Sequence, residues 1–264
     1  MEAIPYALLS LLQEERPLGR LCSLTPLNGG MSGAVLYRME MEQGGEKKAF
    51  VLKWAARGTV PPEVFGSFRR EAAFYRLAGE QGRGFLPEIA YQAETDEGLL
   101  LAMKAYAPLT PSDWNPDTLE KAAVLLAEIH ALSPSLAERA GWEPEIGEPS
   151  EEGIACAAED WRSVLAEHGG RFDPSLIVMV AQAIPAVSRF LCLPPLCLCH
   201  GDFHWGNLLK DGDILRVCDW QGVSVGKGGG DISFFFSRAA ADGKAADQTA
   251  FLTRYATELT RRTG

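Results

Sequence analysis

Residues 199–220 read CHGDFHWGNLLKDGDILRVCDW, from Cys199 to Trp220, and no other stretch of the chain carries so much chemistry at such close spacing. It places Asp202, Asn207 and Asp219 in one local unit: loop, strand, turn, strand, then the second aspartate. A turn at Asp211-Gly212 folds the two apolar runs into a hairpin and returns Asp219 to the side of Asn207. Three oxygen-bearing side chains then converge, the hard donor set that Mg²⁺ takes. Phosphoryl transfer needs little more: a carboxylate at the attacking hydroxyl, oxygen ligands for a metal and a cradle for the phosphates.

Outward from this segment, the sequence divides at about residue 105. Before it, LCSLTPL, GAVLYRMEM and KKAFVLKWA alternate like strands, with Gly44-Gly45 as a hairpin turn between the second and third. A helix follows in PPEVFGSFRREAAFYRLAGE and ends near Gly79, and then two strands, LPEIAYQA and GLLLAMKAY. Beyond Pro108 and Pro111 the pattern turns helical. PDTLEKAAVLLAEIHAL carries an apolar stripe, residues 133–152 read as a polar loop, and IACAAEDWRSVLAEH and DPSLIVMVAQAIPAVSRFL read as helices. Short strands at CLCH, NLLK and ILRVCDW and two final helices complete the expectation.

The first half supplies partners for the 199–220 unit. Asn28-Gly29-Gly30-Met31-Ser32-Gly33 lies between two strands, where glycines let the backbone approach phosphates and Ser32 adds a hydroxyl; a plain glycine-rich hairpin loop fits the same residues. Lys53 stands in an apolar strand, either on the solvent face or held inward by anions. Glu71 on the next helix is its natural partner, with Glu63 and Glu80 flanking the same helix.

Together these residues resemble the aminoglycoside phosphotransferase and choline kinase-like family, relatives of the protein kinases. The resemblance spans roughly residues 22–240, and 200–219 is its specific part. It implies an α+β, protein-kinase-like fold of two lobes: a β-rich nucleotide-binding lobe at 1–105 and a mainly helical catalytic and substrate-binding lobe at 106–264. The implied activity moves the γ-phosphate of ATP to a hydroxyl of a small molecule, with Mg²⁺. Asp202 is then the catalytic base or hydroxyl-orienting group, and Asn207 and Asp219 are the metal ligands. Gly29, Gly30, Ser32 and Gly33 meet the phosphates, and Lys53, positioned by Glu71, contacts them. The backbone around Met103 and Ala105 meets adenine. His200 and Asp231 brace the site, Asp231 also capping a helix, while His130 is a packed structural residue and His204 has no assigned role. A nucleotide-binding pseudokinase or regulatory protein of the same fold is the alternative.

Departures from the protein-kinase pattern bear on the substrate. Asp219-Trp220-Gln221 stands where protein kinases have Asp-Phe-Gly, and no Ala-Pro-Glu or phosphorylatable loop follows, so no protein substrate is expected. The chain ends 45 residues past Asp219, which implies a reduced wall for the acceptor pocket.

Composition bounds the rest. A net charge of −10 argues against a nucleic-acid partner held by phosphate contacts. The excess lies after residue 107, at −9 against −1 before it, with Glu143, Glu145, Glu148, Glu151 and Glu152 close together; this favours a cationic acceptor or reads as a solvated acidic loop. No uninterrupted apolar run reaches bilayer length, so no membrane partner is expected. The start, with Leu8, Leu9, Leu11 and Leu12 on one face, reads as a short amphipathic helix rather than a signal peptide. Six cysteines suit a reducing cytoplasm. Cys192, Cys197 and Cys199 cluster, but no second Cys/His pair accompanies them in sequence, so they read as small buried hydrophobes.

Overall fold

The computed structural model describes residues 19–27, 33–79, 84–132, 136, 150–168, 170–171 and 173–264. The expected opening helix, Gly29, Gly30 and Ser32, and Glu143, Glu145 and Glu148 lie outside the described residues.

A five-stranded antiparallel sheet forms the first half, in the order β1-β2-β3-β5-β4. Its strands are β1 (Arg20–Leu27), β2 (Val35–Gln43), β3 (Glu46–Ala56), β4 (Ile89–Glu94) and β5 (Gly98–Lys104). Gly44 and Gly45 join β2 to β3 with φ of 60° and 85°, the left-handed pair that a two-residue hairpin turn requires. One face of the sheet buries Met39, Met41, Leu52, Trp54 and Leu100, as strand alternation dictates. The helix α1 (Pro62–Gly79) crosses the other face and buries Phe65, Phe68, Phe74 and Tyr75.

The remaining elements are mainly helical. After the short β6 (Ala107–Pro108) come α2 (Pro116–His130), α3 (Glu151–His168) and α4 (Pro174–Cys192). Asn115 caps α2 by accepting from the Thr118 amide, with Pro116 at the first helical position. Then follow β7 (Cys197–Cys199), the hairpin β8 (Leu208–Asp211) and β9 (Ile214–Val217), β10 (Ser224–Gly226), α5 (Gly229–Ala241) and α6 (Gln248–Thr263). The molecule is thus the expected two-lobed α+β fold. One apolar core joins α1, α2 and the β8–β9 hairpin, with Phe68, Phe74, Leu126, Leu208, Val217 and Trp220 all essentially buried.

The structure amends several sequence expectations. Strands β6 and β10 were not foreseen; each is two or three residues long, too short to show a period, and exists through its partner, β8 and β7 respectively. The β8–β9 turn residues are Gly212 and Asp213, because Asp211 still pairs with Ile214; Gly212 supplies φ of 63°. The helix α3 begins at Glu151, so Glu151 and Glu152 form its first turn rather than the end of a loop. The α4 window Pro174–Leu191 is long and apolar enough to cross a membrane by length and composition, at mean hydropathy 1.5 and with 6% of it buried. Ser175, Gln182, Pro185, Ser188 and Arg189 divide it into short apolar runs, and so hid its length from a search for an unbroken one.

Candidate active site

The loop after β7 is held in shape by two buried groups. His200 is fully buried; its Nε2 is 3.0 Å from the Cys218 carbonyl and its Nδ1 accepts the Asp202 amide at 3.2 Å. Both contacts fit a neutral ring protonated at Nε2, and burial pushes the His200 pKa below its usual value. Asp231 accepts the amides of His200 at 2.7 Å and Gly201 at 2.8 Å, and its Oδ2 is 3.1 Å from His130 Nε2. Burial raises its carboxyl, yet the hydrogen bonds from His130 and from the loop amide hold it below the usual range. Asp231 therefore braces the loop as expected, but it does not cap α5. Gly228 occupies the cap position, and the Asp231 carboxylate is turned to the loop.

Gly201 adopts φ of +82°, and a Cβ there would lie 2.0 Å from the Gly222 carbonyl oxygen. Glycine is therefore required between His200 and Asp202 by backbone conformation and by close approach.

Asp202 and Asn207 are joined directly. The Asn207 amide nitrogen donates to the Asp202 carbonyl at 2.9 Å and to its Oδ2 at 3.0 Å, which leaves the Asn207 side-chain oxygen as an acceptor for another group. His204, given no role from sequence, stands 3.6 Å from Asp202 Oδ2. Burial acts to raise the Asp202 pKa, but His204 and Asn207 outweigh it, so the carboxylate is held below its usual value and is ionised at neutral pH. The signal for His204 was present in the spacing, two residues after Asp202, but its orientation depends on the tight turn in which its Nδ1 accepts the Gly206 amide.

The hairpin does what the sequence required of it. The Cys218 amide donates to the Asn207 carbonyl at 3.0 Å, which brings residue 219 back beside Asn207. Asp219 then leaves the strand in a left-handed conformation, φ 66° and ψ 61°, the single non-glycine residue with positive φ among the described residues. Such backbone strain persists where surrounding contacts over-determine it. Here Trp220 is buried, stacked 4.1 Å from Phe74, and Lys53 holds the Asp219 carboxylate from the other side at 2.8 Å.

Lys53 faces inward. Its Nζ lies 2.7 Å from Glu71 Oε2 and 2.8 Å from Asp219 Oδ1, and only 9% of its side chain is exposed. Burial works against its charge, but the two carboxylates prevail and raise its pKa. Burial likewise pushes Glu71 up, against the Lys53 charge and the Trp220 amide. The ion pair makes Glu71 the partner of Lys53; of the two flanking glutamates, Glu63 is exposed and Glu80 lies outside the described residues.

Gly33 lies at the edge of the glycine-rich loop with φ of 84°, close against Val60. At the inter-lobe connection, Met103 pairs with Val51 on one side and Ile89 on the other, and the Ala105 amide donates to the Ala49 carbonyl at 2.9 Å. The Ala105 amide thus serves the sheet. A cavity of about 680 Å³ between α2 and α6, bordered by Trp114, Leu119 and Phe251, is lined by none of Lys53, Asp202, Asn207 and Asp219.

The side chains that the loop and hairpin present here offer oxygen donors: the Asn207 amide and the carboxylates of Asp202 and Asp219. That set fits a hard divalent cation such as Mg²⁺.

Comparison with known proteins agrees with this geometry. The family model described as phosphotransferase enzyme family matches residues 23–263. No match is found among curated protein sequences. Among solved structures, the chain is similar to the apoenzyme of a macrolide 2'-phosphotransferase from Brachybacterium faecium, with a TM-score of 0.60 and 20% identity over 97% of this chain and 87% of that one. It is also similar to an aminoglycoside-3'-phosphotransferase of type VIII, with a TM-score of 0.56 and 18% identity over 98% and 97%. An amicoumacin kinase in complex with AMP-PNP, Ca²⁺ and Ami aligns with a TM-score of 0.62 and 14% identity over 98% and 79%.

Proposed function

The chain belongs to the phosphotransferase enzyme family, and from that premise we propose that it moves the γ-phosphate of ATP to a hydroxyl group of a small molecule, with Asp202 at the attacking oxygen. The observation that carries this reading is the pair of bonds from the Asn207 amide to Asp202, which fixes a half-exposed, ionised carboxylate beside an oxygen donor set.

In this reading Asp202 orients the acceptor hydroxyl and takes its proton late, because an alcohol is far too weak an acid to ionise beforehand. His204 and Asn207 keep the carboxylate charged until that proton arrives. Asn207 and Asp219 would hold Mg²⁺, whose chemistry when bound is to neutralise charge on the transferring phosphates. Lys53, steadied by Glu71, contacts the same phosphates, and Gly29, Gly30, Ser32 and Gly33 line them with backbone and hydroxyl donors. Adenine rests against the Met103–Ala105 connection, and the two lobes divide at about residue 105. The similar kinase solved with AMP-PNP and Ca²⁺ supports a nucleotide and a divalent cation for this chain too.

The test is ADP release with Mg²⁺ and ATP across aminoglycosides, macrolides, amino alcohols and sugars, with Asp202→Asn alongside. An acceptor-dependent turnover that Asp202→Asn lowers about 10²–10⁴-fold, with nucleotide affinity kept within a few fold, is the expected result. Nucleotide binding with no turnover on any acceptor would favour the pseudokinase reading instead.

A further inference from the structure

Behind the catalytic loop, on the far side of Asp231, lies a cluster that the phosphotransfer chemistry does not use. Cys197 and Cys199 flank Leu198 on β7, and residues two apart on a strand project to the same face. Their sulfurs are 3.8 Å apart, and both thiols are free. The imidazole of His130, the last residue of α2, completes the group: one ring nitrogen of His130 and the sulfurs of Cys197 and Cys199 all lie within 4.8 Å of one another. The sequence could not show this, because 67 residues separate His130 from Cys197 and only the packing of α2 against β7 joins them.

The geometry points to a site for a thiophilic divalent cation of the zinc type, ligated by Cys197, Cys199 and His130. Three observations support it. A tetrahedral centre with metal–sulfur bonds of about 2.3 Å has a sulfur–sulfur edge of about 3.8 Å, the spacing already present in the cation's absence. His130 is oriented as metal-binding imidazoles are: Nε2 faces the Asp231 carboxylate at 3.1 Å, which places the ring proton there and turns the Nδ1 lone pair the other way. Nδ1 and Cys197 also face the same turn, since a Cβ on Gly228 would lie 2.4 Å from Nδ1 while the Cys197 sulfur is 3.5 Å from the Gly226 carbonyl. The Tyr255 hydroxyl, 2.8 Å from Nδ1, stands where it can give up that bond and serve as a fourth oxygen donor, or yield to water.

Binding releases the two thiol protons to solvent and breaks the Tyr255–His130 bond; no electron transfer is involved. Mg²⁺ does not compete, because thiolate and imidazole select borderline-soft cations over hard ones. The carboxylate of Asp231 then joins the cation, through His130, to the amides of His200 and Gly201, so occupancy stiffens the loop that carries Asp202.

The experiment adds Co²⁺, then Zn²⁺, to the full chain kept reduced by a phosphine. One equivalent of Co²⁺ is expected to give a sulfur-to-cobalt charge-transfer band with the strong visible bands of a tetrahedral ion, both erased by one equivalent of Zn²⁺. Cys197→Ser is expected to lower Zn²⁺ affinity by more than the 10–100-fold that losing an outer partner typically costs, while Cys22→Ser and Cys156→Ser leave it unchanged. The unaltered chain carries the spectral test, so the result stands even if Cys199→Ser fails to fold. Absence of the charge-transfer band, or a band of undiminished intensity and unchanged Zn²⁺ affinity in Cys197→Ser, would overturn the assignment.

Discussion

The Lys53 ammonium lies 2.8 Å from the Asp219 carboxylate, a bond between residues 166 positions apart that ties the third strand of the sheet to the end of the β8–β9 hairpin. With Glu71 on its other side, Lys53 is the point where the five-stranded sheet, helix α1 and the β8–β9 hairpin meet. Lys53 holds one carboxylate oxygen of Asp219, and in the proposed function the other would serve a cation. The backbone strain at Asp219 and the burial of Lys53 are therefore two parts of one arrangement.

Replacing Lys53 by methionine keeps the volume and removes the charge. Glu71, 1% exposed, would then lose its cation; breaking a buried pair costs about 3–5 kcal/mol, and less here because Glu71 can take up a proton. The Asp219 half of the arrangement is 38% exposed, so solvent screens it and it adds little. Burial already raises the Glu71 pKa above 4.5, and losing Lys53 raises it further. A group with a raised pKa contributes stability that is complete below its unfolded value and is lost as pH rises through its folded one. The deficit of Lys53→Met should thus be small near pH 4.5 and grow toward pH 8, as measured by denaturant unfolding across that range. A deficit independent of pH would mean that Glu71 is not the group left exposed to the change.

Gly201→Ala should be far more damaging than Gly212→Ala, although both glycines have positive φ. At Gly212 nothing lies within 4 Å of a new Cβ, so the cost is the conformational one of about 1 kcal/mol. At Gly201 the new carbon would meet the Gly222 carbonyl oxygen at 2.0 Å, and backbone cannot move aside as a flexible side chain can. Asp202 would be displaced with it. Turnover and unfolding midpoints of the two variants decide the matter; equal effects would show that the His200–Asp202 turn tolerates the shift.

Asp231→Asn removes a buried acceptor of three hydrogen bonds, two of them from the catalytic loop. Bonds to a charged group contribute about 1.5–3 kcal/mol each; an amide oxygen keeps some of them, so a net loss of about 2–4 kcal/mol is expected. The Asp231 pKa is held below 3.8, so its contribution is complete above that value and is lost as pH falls through the folded one. The stability gap between the two proteins should hold from pH 7 to pH 5 and narrow below pH 4. A gap that widens in acid would contradict an ionised Asp231.

Where the sequence was legible, a local rule was in force. The period-2 runs of β1 to β5, the Gly44-Gly45 turn and the Asn115-Pro116 start of α2 all follow from neighbouring residues. Asp202, Asn207 and Asp219 were readable because one hairpin brings them together. What escaped depends on contacts far along the chain: β10 exists through β7, and His130 reaches Cys197 and Cys199 through helix packing; of the two roles read for Asp231, the loop brace holds, while the cap of α5 falls to Gly228 because the carboxylate is turned to residues 200 and 201. At α4 the helix itself was legible, but scattered polar residues masked a window of membrane-crossing length and hydropathy, with Leu176, Met179, Val187 and Phe190 exposed along it.

The acceptor itself is expected to be cationic, from the charge of −9 carried after residue 107. The part of that charge within the described residues is now better placed. Glu151 and Glu152 are exposed in the first turn of α3, and Glu159 is paired with Arg162 at 2.9 Å. A first turn is also where carboxylates stabilise a helix through its dipole, by about 0.3–1 kcal/mol each at low ionic strength, so these two residues have a structural use that needs no ligand. The two roles separate in one experiment. If the carboxylates draw the acceptor in, reversal of both to lysine should raise the KM of an aminoglycoside or amino alcohol several fold at low ionic strength, and added salt should bring variant and parent together. If they serve the helix alone, the same variant should unfold more easily with KM unchanged. A neutral sugar emerging as the best acceptor, with a KM indifferent to salt, would remove the electrostatic argument altogether, because an uncharged molecule gains nothing from an acidic approach.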